Sequence, residues 1–168
     1  ALAACESLAG GSNSSVAPGA RTVSGNISEW PVPTPKYARD PAIGPDGNVY
    51  FAVRAGDKIA RFDPKSKRFQ EWDVPAGMQP QGLVVARDGK VIFGGAGNSA
   101  IGELDPSTGK VKVYKIPSND SDPYALVFDA EDNIWFTERK VGKLGKLERA
   151  GGKITEYPIG DKPYALSL

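Results

Sequence analysis

Histidine is absent from this chain of 168 residues. That removes imidazole, the usual general acid or base near neutral pH and the commonest metal ligand, from any chemistry these residues perform. Cysteine occurs once, as Cys5, so no internal disulfide can form and thiol spacing says nothing about redox compartment. No apolar run approaches the ~20 residues that a membrane-spanning helix needs. Charge of one sign is not in excess either. Lys and Arg number 21 and Asp and Glu 20, a net charge of +1, which gives no general electrostatic basis for binding nucleic acid or an anionic membrane surface. What is abundant is turn-forming residues, 20 Gly and 14 Pro. They fall at regular positions rather than in one low-complexity tract, the pattern of many short strands.

The regularity is a repeat. Residues 127–138 read as an apolar strand, an acidic turn and an apolar-aromatic strand, and residues 42–51 and 84–93 are earlier copies. Independent landmarks hold one phase of 42 or 43 residues: Trp30, Trp72, Tyr114 and Tyr157; Asp46, Asp88 and Glu131; Asp63, Asp105 and Glu148. A period of roughly 40–45 residues with four short strands per unit is what a β-propeller blade requires. The fold class is therefore all-β: a partial β-propeller of about three four-stranded antiparallel blades, over residues 41–73, 81–115 and 124–158. Single strands flank them. Residues 21–33 read as the outermost strand of a preceding blade, and Pro163-Tyr164-Ala165-Leu166 copies Pro123-Tyr124-Ala125-Leu126 as the start of a fourth. Such an arc is expected to expose strand edges open to self-association.

Ahead of the repeats, residues 1–21 read as a separate region. Leu2-Ala3-Ala4-Cys5 resembles a bacterial lipobox, in which Cys5 is lipidated. The alternative is a chance Ala-rich stretch before a free or buried thiol. Residues 6–20 are mainly Gly, Ser, Asn and Ala and read as a flexible linker. Together they predict a protein of the bacterial cell envelope, or a secreted one, that meets a membrane only through a lipid anchor at Cys5.

Strand order locates a candidate site. The first two strands of a blade run antiparallel, so the start of one and the end of the other share a rim. Tyr37, Arg39, Arg54, Gln81, Tyr124, Glu138, Arg139 and Tyr164 fall on that rim, and the acidic turns at Asp46, Asp88 and Glu131 at the opposite end. Tyr, Glu and Arg around a pore suit a small polar or cyclic ligand; the alternative is an ordinary solvated surface. The Asp-Gly pairs are accounted for as hairpin turns, and no metal site is read from them.

The sequence Pro123-Tyr124-Ala125-Leu126, the acidic turn to Asn133, Ile134-Trp135-Phe136-Thr137-Glu138, Val141-Gly142-Lys143-Leu144-Gly145-Lys146-Leu147 and the run from Gly152 to Ile159 together resemble the streptogramin (virginiamycin B) lyase family, over roughly residues 29 to 168. The resemblance implies a seven-bladed propeller that opens a cyclic depsipeptide by elimination at its ester, using histidine, glutamate and a magnesium ion. This chain departs from that pattern. The positions after the repeat proline, where the family can place histidine, hold Gln81, Tyr124 and Tyr164, so no catalytic residue carries over and magnesium rests on the resemblance alone. The expected function is a lyase-like propeller whose residues here are inactive by themselves. Its alternatives are a non-catalytic envelope module that binds a ligand or protein on the rim, or a purely structural part.

Overall fold

The computed structural model describes Ser15–Val16, Arg21–Val23 and residues 27–166; Cys5 and most of the expected linker lie outside these. Among the described residues, short extended segments separated by Gly, Asp-Gly and Asp-Pro turns give fifteen strands. They are β1 (Ser15–Val16), β2 (Arg21–Val23), β3 (Ile27–Glu29), β4 (Ala38–Ile43), β5 (Val49–Val53), β6 (Lys58–Asp63), β7 (Arg68–Asp73), β8 (Pro80–Val85), β9 (Val91–Gly95), β10 (Ala100–Asp105), β11 (Lys110–Lys115), β12 (Pro123–Phe128), β13 (Ile134–Glu138), β14 (Lys143–Glu148) and β15 (Lys153–Pro158). Three antiparallel meanders result, β4 to β7, β8 to β11 and β12 to β15, each a blade. Their first strands lie innermost, with β8 packed between β4 and β12.

Both ends differ in detail from the lone strands expected there. Ser15 and Val16, inside the expected linker, pair with Phe69 and Arg68 on the edge of the first blade, and β3 forms a hairpin with β2. Residues 163–166 form no strand. An inner strand is held by hydrogen bonds to the second strand of its own blade, and among the described residues none lies beside it.

Each acidic turn closes with the same backbone bond: Gly47 N–H to Gly44 O, Gly89 N–H to Ala86 O, and Asp132 N–H to Asp129 O. The third member of each turn has positive φ, which Gly47 and Gly89 adopt cheaply and Asp132 tolerates. The side-chain acceptor shifts between copies. In the first blade Asp46 accepts from the backbone and side-chain amides of Asn48 and from the Tyr50 hydroxyl. In the third, Asp129 accepts from both amides of Asn133 and from Trp135 Nε1, so Asp129 rather than Glu131 does the work of Asp46.

Packing between blades follows the same phase. Tyr50, Ala52, Ile59, Trp72 and Val74 of the first blade share a buried core with Leu83, Phe93 and Leu104 of the second. Ile92, Ile101, Tyr114 and Ile116 meet Leu126, Ile134, Phe136 and Leu147 in the next seam. The outer-strand aromatic of one repeat rests on a turn of the following one. A side chain at Gly109 would lie 3.5 Å from Trp72, and one at Gly152 3.1 Å from Tyr114. Trp30 repeats the contact, against Phe62 at 5.1 Å and under Lys67 at 4.9 Å. On the third blade the equivalent positions, Tyr157 and Ile159, are 42% and 52% exposed. Within a blade, Phe93 and Phe136 lie over Gly102 and Gly145, where a Cβ would come within 2.3 and 2.1 Å of the rings.

Truncating a seam residue removes apolar burial and leaves a void. Phe93→Ala is expected to lower unfolding free energy by about 3–5 kcal/mol, and Val113→Ala, on an exposed outer strand, by less than about 1 kcal/mol; urea unfolding compares them.

Candidate functional site

Cross-strand register sets the rim. Ala38 pairs with Val53, Pro80 with Gly95 and Pro123 with Glu138, so the start of each inner strand lies beside the end of its neighbour. Every inner strand carries a bulge just inside that end, between Arg39 and Ala42, Gln81 and Leu83, and Pro123 and Leu126. A bulge bends the strand and re-aims its side chains. The residue leading in is left-handed each time: Tyr37 at φ 65°, Gln79 at 49° and Asp122 at 52°.

These distortions bring three blades together. Asp40 accepts from Gly82 N–H at 2.9 Å, tying the first blade to the second. Gln81 Nε2 donates to Asp122 Oδ1 at 2.7 Å and to the Pro123 carbonyl at 2.9 Å, tying the second to the third. Arg39 Nη2 donates to the Tyr124 hydroxyl at 3.0 Å, reaching from the first blade to the third. Gly82 is indispensable at this crossing. Its φ is +43°, and a Cβ would fall 1.6 Å from the Tyr124 carbonyl oxygen.

Around Tyr124 a cation–aromatic stack is built. The Arg139 guanidinium lies 4.0 Å from the Tyr124 ring centre and 5.0 Å from that of Tyr164, and the two rings are 4.9 Å apart. Arg39 lies 5.4 Å from Tyr124 and 5.6 Å from Tyr37. Each arginine is neutralised, Arg39 by Asp40 at 2.7 Å and Arg139 by Asp122 at 2.7 Å. Formal charge balances while two aromatic faces stay open to solvent, Tyr37 being 66% and Tyr164 64% exposed. Such a surface offers stacking and hydrogen bonding with little net field.

Of the rim residues expected from sequence, Tyr37, Gln81, Tyr124, Arg139 and Tyr164 join this constellation. Gln81 is fully buried, a brace rather than a surface group. Arg54 stands apart. It reaches Gln79 at 3.5 Å, beside a shallow cleft of about 490 Å³ that it shares with Tyr37, Asp57 and Gly77. Glu138 corrects the expectation most. It is fully buried, no donor reaches either carboxyl oxygen, and burial together with the Glu156 carboxylate in hydrogen-bonding reach pushes its carboxyl up to about 8 against the opposing pull of Lys143. Asp40 and Asp122 were not singled out from sequence. Each stands before a proline, as Asp40-Pro41 and Asp122-Pro123, but at different phases of the repeat, so the period did not mark them.

At the opposite end, Arg149 bridges the second and third blades, donating to Asp132 at 2.7 Å, Asp88 at 2.8 Å and Glu103 at 3.4 Å. A cleft of about 310 Å³ opens beside it, also lined by Lys112 and Tyr114. The donors for magnesium do not fit. Among the described residues no three His, Cys, Asp or Glu side chains converge, and the rim carboxylates Asp40 and Asp122 are already engaged by arginines.

A family model described as the virginiamycin B lyase family matches residues 13–167. The chain belongs to this family. Among solved structures it is similar to virginiamycin B lyase from Staphylococcus aureus at 28% identity and a TM-score of 0.76, covering 87% of this chain and 51% of that one. A catalytically inactive histidine-to-alanine variant of the Staphylococcus aureus lyase, solved with quinupristin, matches at 28% identity and 0.76, covering 83% and 48%. A streptogramin B lyase structure matches at 26% identity and 0.75, over 83% and 48%. The chain thus spans about half the length of these structures. No curated protein matches the sequence.

Gly82→Ala is expected to destabilise by about 2–4 kcal/mol, because steric overlap adds to a left-handed backbone. Gly89→Ala, at φ +81° with nothing within 4 Å, is expected to lose only about 1 kcal/mol. Denaturant titration of the two variants separates crossing from turn.

Proposed function

We propose that these residues form the ligand-binding part of a lyase-like propeller, holding a cyclic, aromatic-bearing ligand on the rim without cleaving it. The observation that carries the reading is the stack of Tyr37, Arg39, Tyr124, Arg139 and Tyr164, contributed by separate blades to one side of the pore. Flat aromatic faces with guanidinium edges suit a ring of amide and ester groups carrying aromatic substituents: the faces stack and the free N–H groups donate to carbonyls. Lyase chemistry needs a base to remove a proton next to the ester carbonyl. Histidine is absent, the carboxylates at the stack, Asp40 and Asp122, are held by Arg39 and Arg139, and Glu138 is sealed from solvent. Binding without turnover is the consequence.

Quinupristin, which accompanies one of the related structures, is the appropriate probe. Titrated into the whole chain, it should quench tyrosine fluorescence saturably, and mass spectrometry should recover it with its ring intact. Tyr124→Ala should weaken binding by about tenfold or more, equivalent to ~1.4 kcal/mol. Absence of saturable binding, or Tyr124→Ala binding as tightly as the parent, would overturn the rim reading. Ring-opened product would overturn the claim that these residues bind without cleaving.

A further inference from the structure

Glu138 occupies a position where neither of the other blades carries a carboxyl. Val53 is its counterpart in the first blade and is fully buried. In the second the counterpart is Gly95, where Asn98 Oδ1 and Met78 Cγ take up the space, lying 2.6 and 2.8 Å from where a Cβ would be. Nothing in the fold demands a carboxyl there. Yet Glu138 is completely enclosed, no donor reaches either oxygen, and the polar group within hydrogen-bonding reach is the Glu156 carboxylate, to which only the neutral acid can donate. A bare carboxylate in such a place is strongly disfavoured, whereas the neutral acid is tolerated.

Beside it the segment 116–122 is laid across the hairpin between β13 and β14. Arg139 N–H donates to the Asp122 carbonyl and Lys140 N–H to that of Ser121. Ser118 N–H donates to Glu156, and Lys143 Nζ to the Ser118 hydroxyl at 2.7 Å. The charged groups facing Glu138 are Glu156 of β15 and Lys143 of β14, which pair with each other at 3.3 Å. The acids of the 116–122 segment are turned elsewhere, Asp120 to Lys140 and Asp122 to Arg139. Asp122 is also the residue that orients Arg139 and Gln81 in the rim stack.

We propose that Glu138 is a positioning residue that latches the rim: as the neutral acid it lets the 116–122 segment close, and on ionisation it draws in water, parts that segment from the hairpin and releases Asp122 from Arg139. The proton leaves to solvent, and no covalent bond other than O–H changes. The latch therefore couples pH to the shape of the stack without touching a ligand.

Because the folded carboxyl holds its proton more tightly than the unfolded one, its contribution to stability is complete below about 4.5 and is lost as pH rises to about 8. With no histidine in the chain, no imidazole titrates in that window. Three measurements decide the matter, on the whole chain and with no ligand, so the outcome is independent of the binding experiment. The melting temperature of the parent should fall relative to Glu138→Gln between about pH 5 and 8 and run parallel above that range. Exchange of the 118–122 and 139–140 amides, corrected for intrinsic rate, should rise by up to about tenfold per pH unit in the parent and stay flat in Glu138→Gln and Glu138→Val. Infrared spectra of the parent should keep a protonated-carboxyl band at about pH 6.5, where free carboxyls are ionised. Parallel melts across the window, pH-independent exchange, or no such band in the parent would each overturn the proposal. Should both variants fail to fold, the parent's band and exchange profile decide it alone.

Discussion

The seating of one sheet's outer aromatic on the next sheet's turn holds this structure together. A four-stranded blade has two apolar faces and cannot bury either alone. Trp72 and Tyr114, one repeat apart, close the two seams, and Trp30 makes the same contact one repeat earlier from beyond the first complete blade. Behind these aromatics lie fully buried residues such as Ile59, Phe93, Ile101 and Phe136. At roughly 1.5–3 kcal/mol for each large side chain removed from water, the seams outweigh surface ion pairs such as Lys140–Asp120, for which ~0–1 kcal/mol is typical.

Tight seams force the inner strands together, and polar chemistry at the rim is the result. Gly82 and Gly94 bring the second blade's backbone against Tyr124 and Pro123 of the third. At that distance backbone donors must find acceptors across the gap, and Asp40, Gln81 and Asp122 supply or use them. The same carboxylates then hold Arg39 and Arg139 against Tyr124, so the stack depends on how the blades meet. Glu138 sits under this arrangement, in a slot its sister repeats fill with Val53 or with Asn98 and Met78.

The repeat was legible because packing aromatics recur at one phase, and antiparallel strand order then put the start of each inner strand beside the end of its neighbour, as the register has it. Partners were less legible than positions. Phase aligned Tyr37, Gln79 and Asp122, but not that Asp122 would clasp Arg139 from a left-handed backbone. It likewise aligned Glu148-Arg149 with Asp-Pro turns while giving no sign that Arg149 would gather three carboxylates from two blades. Glu138 looked like a rim acid because strand ends are usually wet. The segment 116–122 crosses beside it, Asp122 and Ser121 accepting from the Arg139 and Lys140 N–H groups, and although the period aligns that segment with 74–79 it gave no sign of this crossing. At the turns, Asp129 displaced Glu131 because an acceptor two residues earlier reaches Asn133 and Trp135 as well as Asp46 reaches Asn48 and Tyr50.

If the seams govern the structure, the sheets cannot unfold one at a time. Urea unfolding of the chain carrying 5-fluorotryptophan at its native tryptophans, followed by the separate fluorine resonances of Trp72 in the first seam and Trp135 in the third blade and by far-ultraviolet circular dichroism, tests this directly. One coincident transition for both reporters and the backbone signal is the predicted result. A Trp135 transition at clearly lower urea, with the Trp72 seam still intact, would contradict it.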